Sequence, residues 1–266
     1  MINLDSKNNS SFLQQVQNKQ DTLFERLASG KRINSAADGA AAQQIIDRLT
    51  AQETGLGQAY RNSLDGVSLA QVAEGGLSGI NEDVNRIREL SIQAGNGILS
   101  QADRDAIQSE ITQLQDNITQ TVEQTEFGGK PLLTSDGNLD FQVGANAGQN
   151  IGVETKDIAA GLNGLLNIDV STASGAQNAI AAADSAIEFV GGERAALGAV
   201  QNQFESAARN IAQTQENVAA ANSRIADTDY AQAASERAAN DILSQASISV
   251  QAQANQRQGQ VLSLLG

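Results

Sequence analysis

The sequence contains no histidine, no cysteine and no tryptophan. Without imidazole or thiol there can be no thiol nucleophile, histidine-based triad, His/Cys metal site or disulfide framework. A zinc-protease motif of the His-Glu-x-x-His kind is excluded on the same ground. Proline and methionine occur once each, and aromatic residues make up 3% of the chain. Six Phe and two Tyr are too few to fill the wide centre of a compact 266-residue domain at the density of a protein interior. Positive charge is scarce as well. Seventeen Lys and Arg face 31 Asp and Glu, a formal charge of −14, whereas a nucleic-acid partner calls for a basic face. Residues 1–9 hold no apolar leader core, and no run approaches the roughly 18 apolar residues of a membrane span. Neither Sec export nor membrane insertion is expected, and no cofactor is implied.

What the chain has in quantity is 42 Ala and 30 Gln, both good helix formers. Small apolar side chains suit narrow seams between helices better than a thick core. A first helix is predicted over residues 11–28, with Leu13, Val16, Gln20, Leu23 and Leu27 on one stripe and a stop at Ser29-Gly30. A second begins near a cap at Asp38-Gly39 and carries Leu49, Leu56, Tyr60, Leu64, Val67, Leu77, Ile80, Val84 and Ile87 as far as Gly95-Asn96-Gly97. A third, over residues 102–125, aligns Ile107, Ile111, Leu114, Ile118 and Val122. The single proline, Pro131, follows Gly128-Gly129-Lys130 and marks a break. Residues 134–174 turn to Gly, Asn and Asp, and Phe141–Val143 with Ile151–Val153 read as a small β-hairpin around residues 144–149.

The strongest regularity follows. Val190, Leu197, Phe204, Ile211, Val218 and Ile225 recur every seven residues, and Val200, Ala207, Thr214 and Ala221 lie three residues after four of them. This is a coiled-coil seam. A helix over residues 177–227 would be about 75 Å long, against about 45–50 Å for a compact globule of this chain length. The expected fold is therefore mainly α, an elongated antiparallel helical bundle or coiled coil with a small β-hairpin region. A last segment, residues 230–264, has only thin anchors, among them Ile242, Leu243, Ile248, Val250, Val261 and Leu262. It reads either as a frayed tail or as a helix that needs a partner.

Chemistry is hard to place on this chain. The run Asp136 to Asp140 starts like a calcium loop, but Phe141 and Ala147 stand where glycine and glutamate are needed. Gly30-Lys31 resembles the end of a phosphate loop, yet Glu25 and Arg32 break the pattern. Asp103 with Asp105, or Glu82 with Asp83, have no visible pocket to make them an acid–base pair. No enzyme is expected. One charged cluster is more suggestive. If the chain folds back at Gly95-Asn96-Gly97, Arg86, Arg88 and Glu89 stand opposite Asp103, Arg104 and Glu110. With Leu90 they would share an exposed ridge, or simply be surface charge.

Four strings, in order, resemble bacterial flagellins. They are Glu25-Arg26-Leu27-Ala28-Ser29-Gly30-Lys31-Arg32-Ile33-Asn34-Ser35-Ala36-Ala37-Asp38, Arg194-Ala195-Ala196-Leu197-Gly198-Ala199-Val200-Gln201-Asn202-Gln203-Phe204-Glu205, Ser223-Arg224-Ile225-Ala226-Asp227-Thr228-Asp229-Tyr230, and the close from Gln253-Ala254-Asn255-Gln256 to Val261-Leu262-Ser263-Leu264-Leu265-Gly266. With only about 40 residues between the two halves, the resemblance is to a short form without large outer domains. It implies a structural subunit that polymerises with itself into the extracellular filament for swimming motility. Residues 1–38 and 227–266 would then be the two parts of a terminal coiled coil in the filament core, flanking a helical rod over residues 39–226. Assembly would rest on Leu13, Val16, Leu23, Leu27, Ile242, Val250, Val261 and Leu262. Export would follow the flagellar type III route without a cleaved signal peptide, and the export apparatus, an export chaperone, and the filament cap and junction proteins would be partners. The chaperone would bind residues 230–266. The resemblance also makes Arg86, Leu90 and Glu110 candidates for contact with the host flagellin-sensing Toll-like receptor, or between protofilaments. A hook–filament junction protein of the same superfamily and an intracellular coiled-coil adaptor are the alternatives.

Overall fold

The computed structural model describes the backbone of residues 3–265 and the side chains of residues 11–254 and 256. Along the chain run α1 (Asn3–Ser29), α2 (Ala36–Ala94), α3 (Gln101–Gln124), β1 (Glu126–Phe127), β2 (Lys130–Pro131), β3 (Gly137–Gln142), β4 (Asn150–Thr155), α4 (Ile158–Gly161), α5 (Asn163–Leu166), α6 (Ala173–Ala226) and α7 (Tyr230–Leu265). The fold is mainly α, as the alanine- and glutamine-rich sequence predicts, with two small antiparallel strand pairs.

The helix ends lie where local chemistry stops the backbone ladder. In the first turn of α2 the Asp38 carboxylate does not cap the amides that follow it. It reaches back to the Asn34 and Ser35 N–H groups, at 3.1 and 2.9 Å, and Gly39 interrupts the helix with extended backbone at φ 164°. The turn between α2 and α3 is closed twice. Ser100 and Asp103 form a reciprocal capping box at the start of α3. The Arg104 guanidinium donates to the carbonyls of Ala94, Asn96 and Leu99 at 3.1, 3.2 and 2.9 Å, satisfying groups that the end of a helix leaves open.

Contacts divide the chain into two compact units. The middle unit is Thr54–Gln215, and the terminal unit combines the stretches up to Glu53 and from Glu216 onward. Gly39 kinks α2 near its start and residues 227–229 separate α6 from α7, but these unit limits fall inside α2 and α6. The physical reason is that the start of α2 and the end of α6 are tied into the terminal unit. The Arg32 N–H donates to Ala226 O at 2.6 Å, Lys31 and Asp227 pair through their backbones as an isolated antiparallel β-bridge, and the Asn222 amide reaches the Thr50 hydroxyl at 3.4 Å.

In the middle unit, α2 runs antiparallel to both α3 and α6. Arg86 meets Glu110 and Asp83 meets Asn117 across the first pair, while Arg88 meets Asp184 and Glu74 meets Arg194 across the second. Isoleucines and valines of α2 and α3 fill the core, with Ile80, Val84, Ile87, Ile111 and Ile118 fully buried. The connecting region does more than form one hairpin. Gly128 and Gly129, both with positive φ (59° and 75°), turn β1 into β2, the two-residue hairpin that glycine permits. β3 and β4 pair in register from Gly137↔Thr155 to Gln142↔Asn150. The one-turn helices α4 and α5, absent from the sequence expectation, then place Ile158, Leu162 and Leu165 in the core.

Two pattern expectations are corrected. Val190, Phe204, Ile211 and Val218 are buried and Leu197 and Ile225 half-buried, but the neighbouring buried position is Ala208, four residues after Phe204, while Val200, Ala207, Thr214 and Ala221 are only half-buried. A helix of 3.6 residues per turn drifts against a strict seven-residue repeat. On α2, Leu64 is 44% exposed and Ser63 is fully buried, its hydroxyl donating to Ala59 O at 2.9 Å. Here the inward stripe between Leu56 and Leu69 runs through the small residues Ala59, Ser63 and Gly66, and at Gly66 the Phe204 ring needs the space. A Cβ on Gly66 would lie 2.5 Å from that ring.

Candidate interaction surfaces

The terminal unit pairs α1 with α7, antiparallel. The Tyr230 hydroxyl donates to Leu27 O, the Gln20 amide to the Asp241 carboxylate, and the buried Asn240 amide to Val16 O at 2.9 Å. On α1 the stripe is as predicted, with Val16 and Leu23 buried and Leu13 and Leu27 half-buried. On α7 it is not. Only Ala233 and Asn240 are buried among its described side chains, while Ile242, Leu243, Ile248 and Val250 are 68%, 49%, 54% and 53% exposed. The side chains of Val261 and Leu262 lie outside the described residues. At about 100° of rotation per residue, Ile242, Leu243 and Ile248 project on different sides of α7. A single neighbouring helix cannot cover them all.

Two exposed aromatics add to this surface. Phe24 on α1 and Tyr230 on α7 are 60% and 59% exposed, with the Arg237 guanidinium 5.8 Å from the Phe24 ring centre. Together with Leu27 and Ala234 they line an open groove of about 550 Å³. The sequence carried a signal for them, since three of its eight Phe and Tyr residues, Phe12, Phe24 and Tyr230, stand on the weakly apolar helices and outside the seven-residue repeat.

The charged ridge is present in part. The Arg86 guanidinium holds Glu110 at 2.7 Å and Glu89 at 3.2 Å, with both Arg86 and Glu110 side chains about half exposed. These hydrogen bonds raise the guanidinium pKa, Glu110 contributing most. The other members go elsewhere. Leu90 is 2% exposed and belongs to the core, because it stands on the same side of α2 as Ile87 and Ala94. Arg88 points to Asp184 on α6 at 2.6 Å, and Arg104 closes the α2–α3 turn. Beside the ridge, partial burial pushes the Asp83 carboxyl up against the opposing hydrogen bond from the Asn117 amide.

Two further carboxylates that the sequence singled out bind backbone N–H groups. Asp103 caps α3, and its bonds from the Ser100 hydroxyl and N–H hold its pKa below the usual value. Asp136 accepts the Asp157 N–H at 3.1 Å. Among the described residues, no group of three carboxylates could hold a metal ion and no helix is long and apolar enough to cross a membrane.

The chain matches two family models, the bacterial flagellin N-terminal helical region over residues 2–137 and the bacterial flagellin C-terminal helical region over residues 180–265. It is 40% identical to a flagellin of Bacillus subtilis, covering 91% of both chains. With polar flagellin F of Vibrio parahaemolyticus the identity is 32%, over 91% of this chain and 93% of the other. Among solved structures, Bacillus cereus flagellin aligns with a TM-score of 0.53 and 28% identity, over 61% of this chain and 94% of that one.

Proposed function

Since the chain belongs to the bacterial flagellin family, and is therefore a structural subunit of the extracellular flagellar filament that serves motility, we propose that α1 and α7 are the part completed by neighbouring copies. The observation that carries this reading is the exposed apolar surface of α7. A helix apolar on several sides, and buried by its own chain only at Ala233 and Asn240 among described side chains, needs further partners. Residues 1–38 and 227–266 form the terminal coiled coil in this reading, and residues 39–226 the helical part outside it. Weakly self-sufficient ends also suit a subunit passed unfolded through the flagellar type III route, with residues 230–266 available to an export chaperone before assembly. Cap and junction proteins are the partners at the filament's two ends.

Substituting Ile242 and Ile248 by Asp, singly, tests this. Burial of one such side chain contributes about 1.5–3 kcal/mol, so each change raises the critical concentration for seeded filament growth by at least about tenfold. The monomer's middle unit should melt as before. Filaments growing at the unsubstituted concentration would refute the assignment.

A second reading is supported by the exposed Arg86–Glu110 pair, a contact for the flagellin-sensing Toll-like receptor. Leu90 is not available to it without local opening. Exchanging Arg86 or Glu110 for Ala should lower receptor-reporter activation with the melting curve unchanged. Parallel loss of signal and fold, or no loss of signal, counts against it.

A further inference from the structure

The turn between α2 and α3 holds one of the two Asn-Gly pairs in the sequence, Asn96-Gly97; the other is Asn163-Gly164 at the start of α5. Both Asn96 and Gly97 are exposed, and nothing lies within 4 Å of the place a Gly97 Cβ would occupy. Ile98 beside them is 88% exposed, so water reaches the turn freely. Three donors converge on Asn96. The Ile98 N–H donates to its side-chain Oδ1 at 3.3 Å. Its backbone carbonyl receives the Leu99 N–H at 3.2 Å and the Arg104 guanidinium at 3.2 Å.

We propose that Asn96-Gly97 is a self-modification site, converting Asn96 through a cyclic imide to aspartate or isoaspartate. The Gly97 backbone nitrogen attacks Asn96 Cγ, forming the N–Cγ bond. The Cγ–Nδ2 bond breaks, and the Gly97 amide proton leaves with the Nδ2 group as ammonia. Water then adds to either imide carbonyl and opens the ring to a carboxylate. The donors act on both reacting partners. The Ile98 N–H stabilises charge developing on Oδ1 as the tetrahedral centre forms. The Asn96 carbonyl belongs to the same peptide group as the attacking nitrogen, so a cation on it makes that N–H more acidic. Gly97 removes the side chain that would crowd the ring.

Asn163 has the same dipeptide without this arrangement. Its Oδ1 and backbone carbonyl both receive the Asn167 side-chain amide, and helical backbone follows it. No guanidinium is bonded to its carbonyl. The product at Asn96 places a new negative charge beside Arg104 at the end of α2, and the isoaspartate form adds a backbone methylene to the α2–α3 turn.

The purified full-length chain, incubated at mildly alkaline pH and mapped by peptide mass spectrometry, tests the proposal. In the folded protein Asn96 should deamidate at least about tenfold faster than Asn163, equivalent to ~1.4 kcal/mol of barrier. In denaturant the two rates should converge, Asn96 slowing as its donors are lost. Arg104→Gln should slow Asn96 and leave Asn163 unchanged. The proposal is overturned if Asn96 is no faster than Asn163 in the folded chain, if denaturant accelerates Asn96, or if Arg104→Gln leaves or raises its rate. Should Arg104→Gln not fold, the folded-against-denatured comparison on the unsubstituted chain decides alone.

Discussion

The packing of Phe204 against Gly66 makes a prediction whose sign changes with context. Phe204 is fully buried, and its ring meets Phe141 edge-on, with centroids 5.3 Å apart at 83°. Removing such a ring costs about 3–5 kcal/mol, of which the aromatic pair accounts for about 0.5–1.5 kcal/mol. For a unit of 162 residues (Thr54–Gln215), each kcal/mol is worth about 2–4 °C, so Phe204→Ala should lower the melting of the middle unit by roughly 6–20 °C. Gly66→Ala alone forces a Cβ to within 2.5 Å of the ring and should cost about 1–3 kcal/mol by overpacking. In the Phe204→Ala background that clash is gone. There the same substitution should stabilise by up to about 1 kcal/mol, the helix preference of Ala over Gly. Circular dichroism melts of the four proteins, at concentrations where no filaments form, complete the cycle. If Gly66→Ala destabilises equally in both backgrounds, Phe204 is not what keeps residue 66 a glycine.

Asp103 and Asp38 have carboxyls lowered by hydrogen bonds to Ser100, and to Ser35 and Asn34, respectively. A lowered folded pKa supplies stability above the ordinary value of 3.8 and loses it as pH falls through the folded value. Acidification below 3.8 should therefore open the α3 cap, seen as accelerated amide exchange at residues 100–104, and Asp103→Asn should remove that pH dependence. Asp83 behaves oppositely. Burial raises its pKa, so its stabilising contribution belongs to low pH and disappears as pH rises through the folded value; Asp83→Asn should be no less stable than the unsubstituted chain at neutral pH by thermal melting. Gln115, 9% exposed, donates to Leu165 O at 2.9 Å. Gln115→Leu removes that bond from a carbonyl that keeps the Asn167 and Ile168 N–H donors, and should cost no more than about 0.5–1.5 kcal/mol, read as a lowered denaturation midpoint of the middle unit.

Much of this architecture is legible in the chain because helix ends are local events. Gly30 and the Gly95-Asn96-Gly97 turn stop helices, and Gly128-Gly129 turns β1 into β2, through backbone geometry that a few neighbouring residues impose. The paired β3 and β4 follow from short β-prone runs around a glycine-containing loop. The seven-residue repeat from Val190 to Ile225 announces a long helix with one apolar side. The absence of His and Cys removes whole classes of chemistry before any fold is known.

Side-chain direction is another matter, because it depends on which surface arrives opposite. Large apolar residues suggested that Leu64 faces inward, but Ser63 is buried instead and the approaching Phe204 ring requires a glycine at residue 66. Leu90 looked like part of a charged ridge and is core, while Arg88 and Arg104, adjacent in pattern to Arg86, are drawn to Asp184 and to the open carbonyls of the α2–α3 turn. Across the two helices of the ridge it is Arg86 and Glu110 that meet, since antiparallel packing of α2 on α3 brings them to one level. The sequence by itself determined the elements, their order and the poverty of chemistry. The tertiary structure decided which faces are buried and which apolar residues of α7 stay uncovered, because burial is a property of two surfaces and a sequence pattern describes only one.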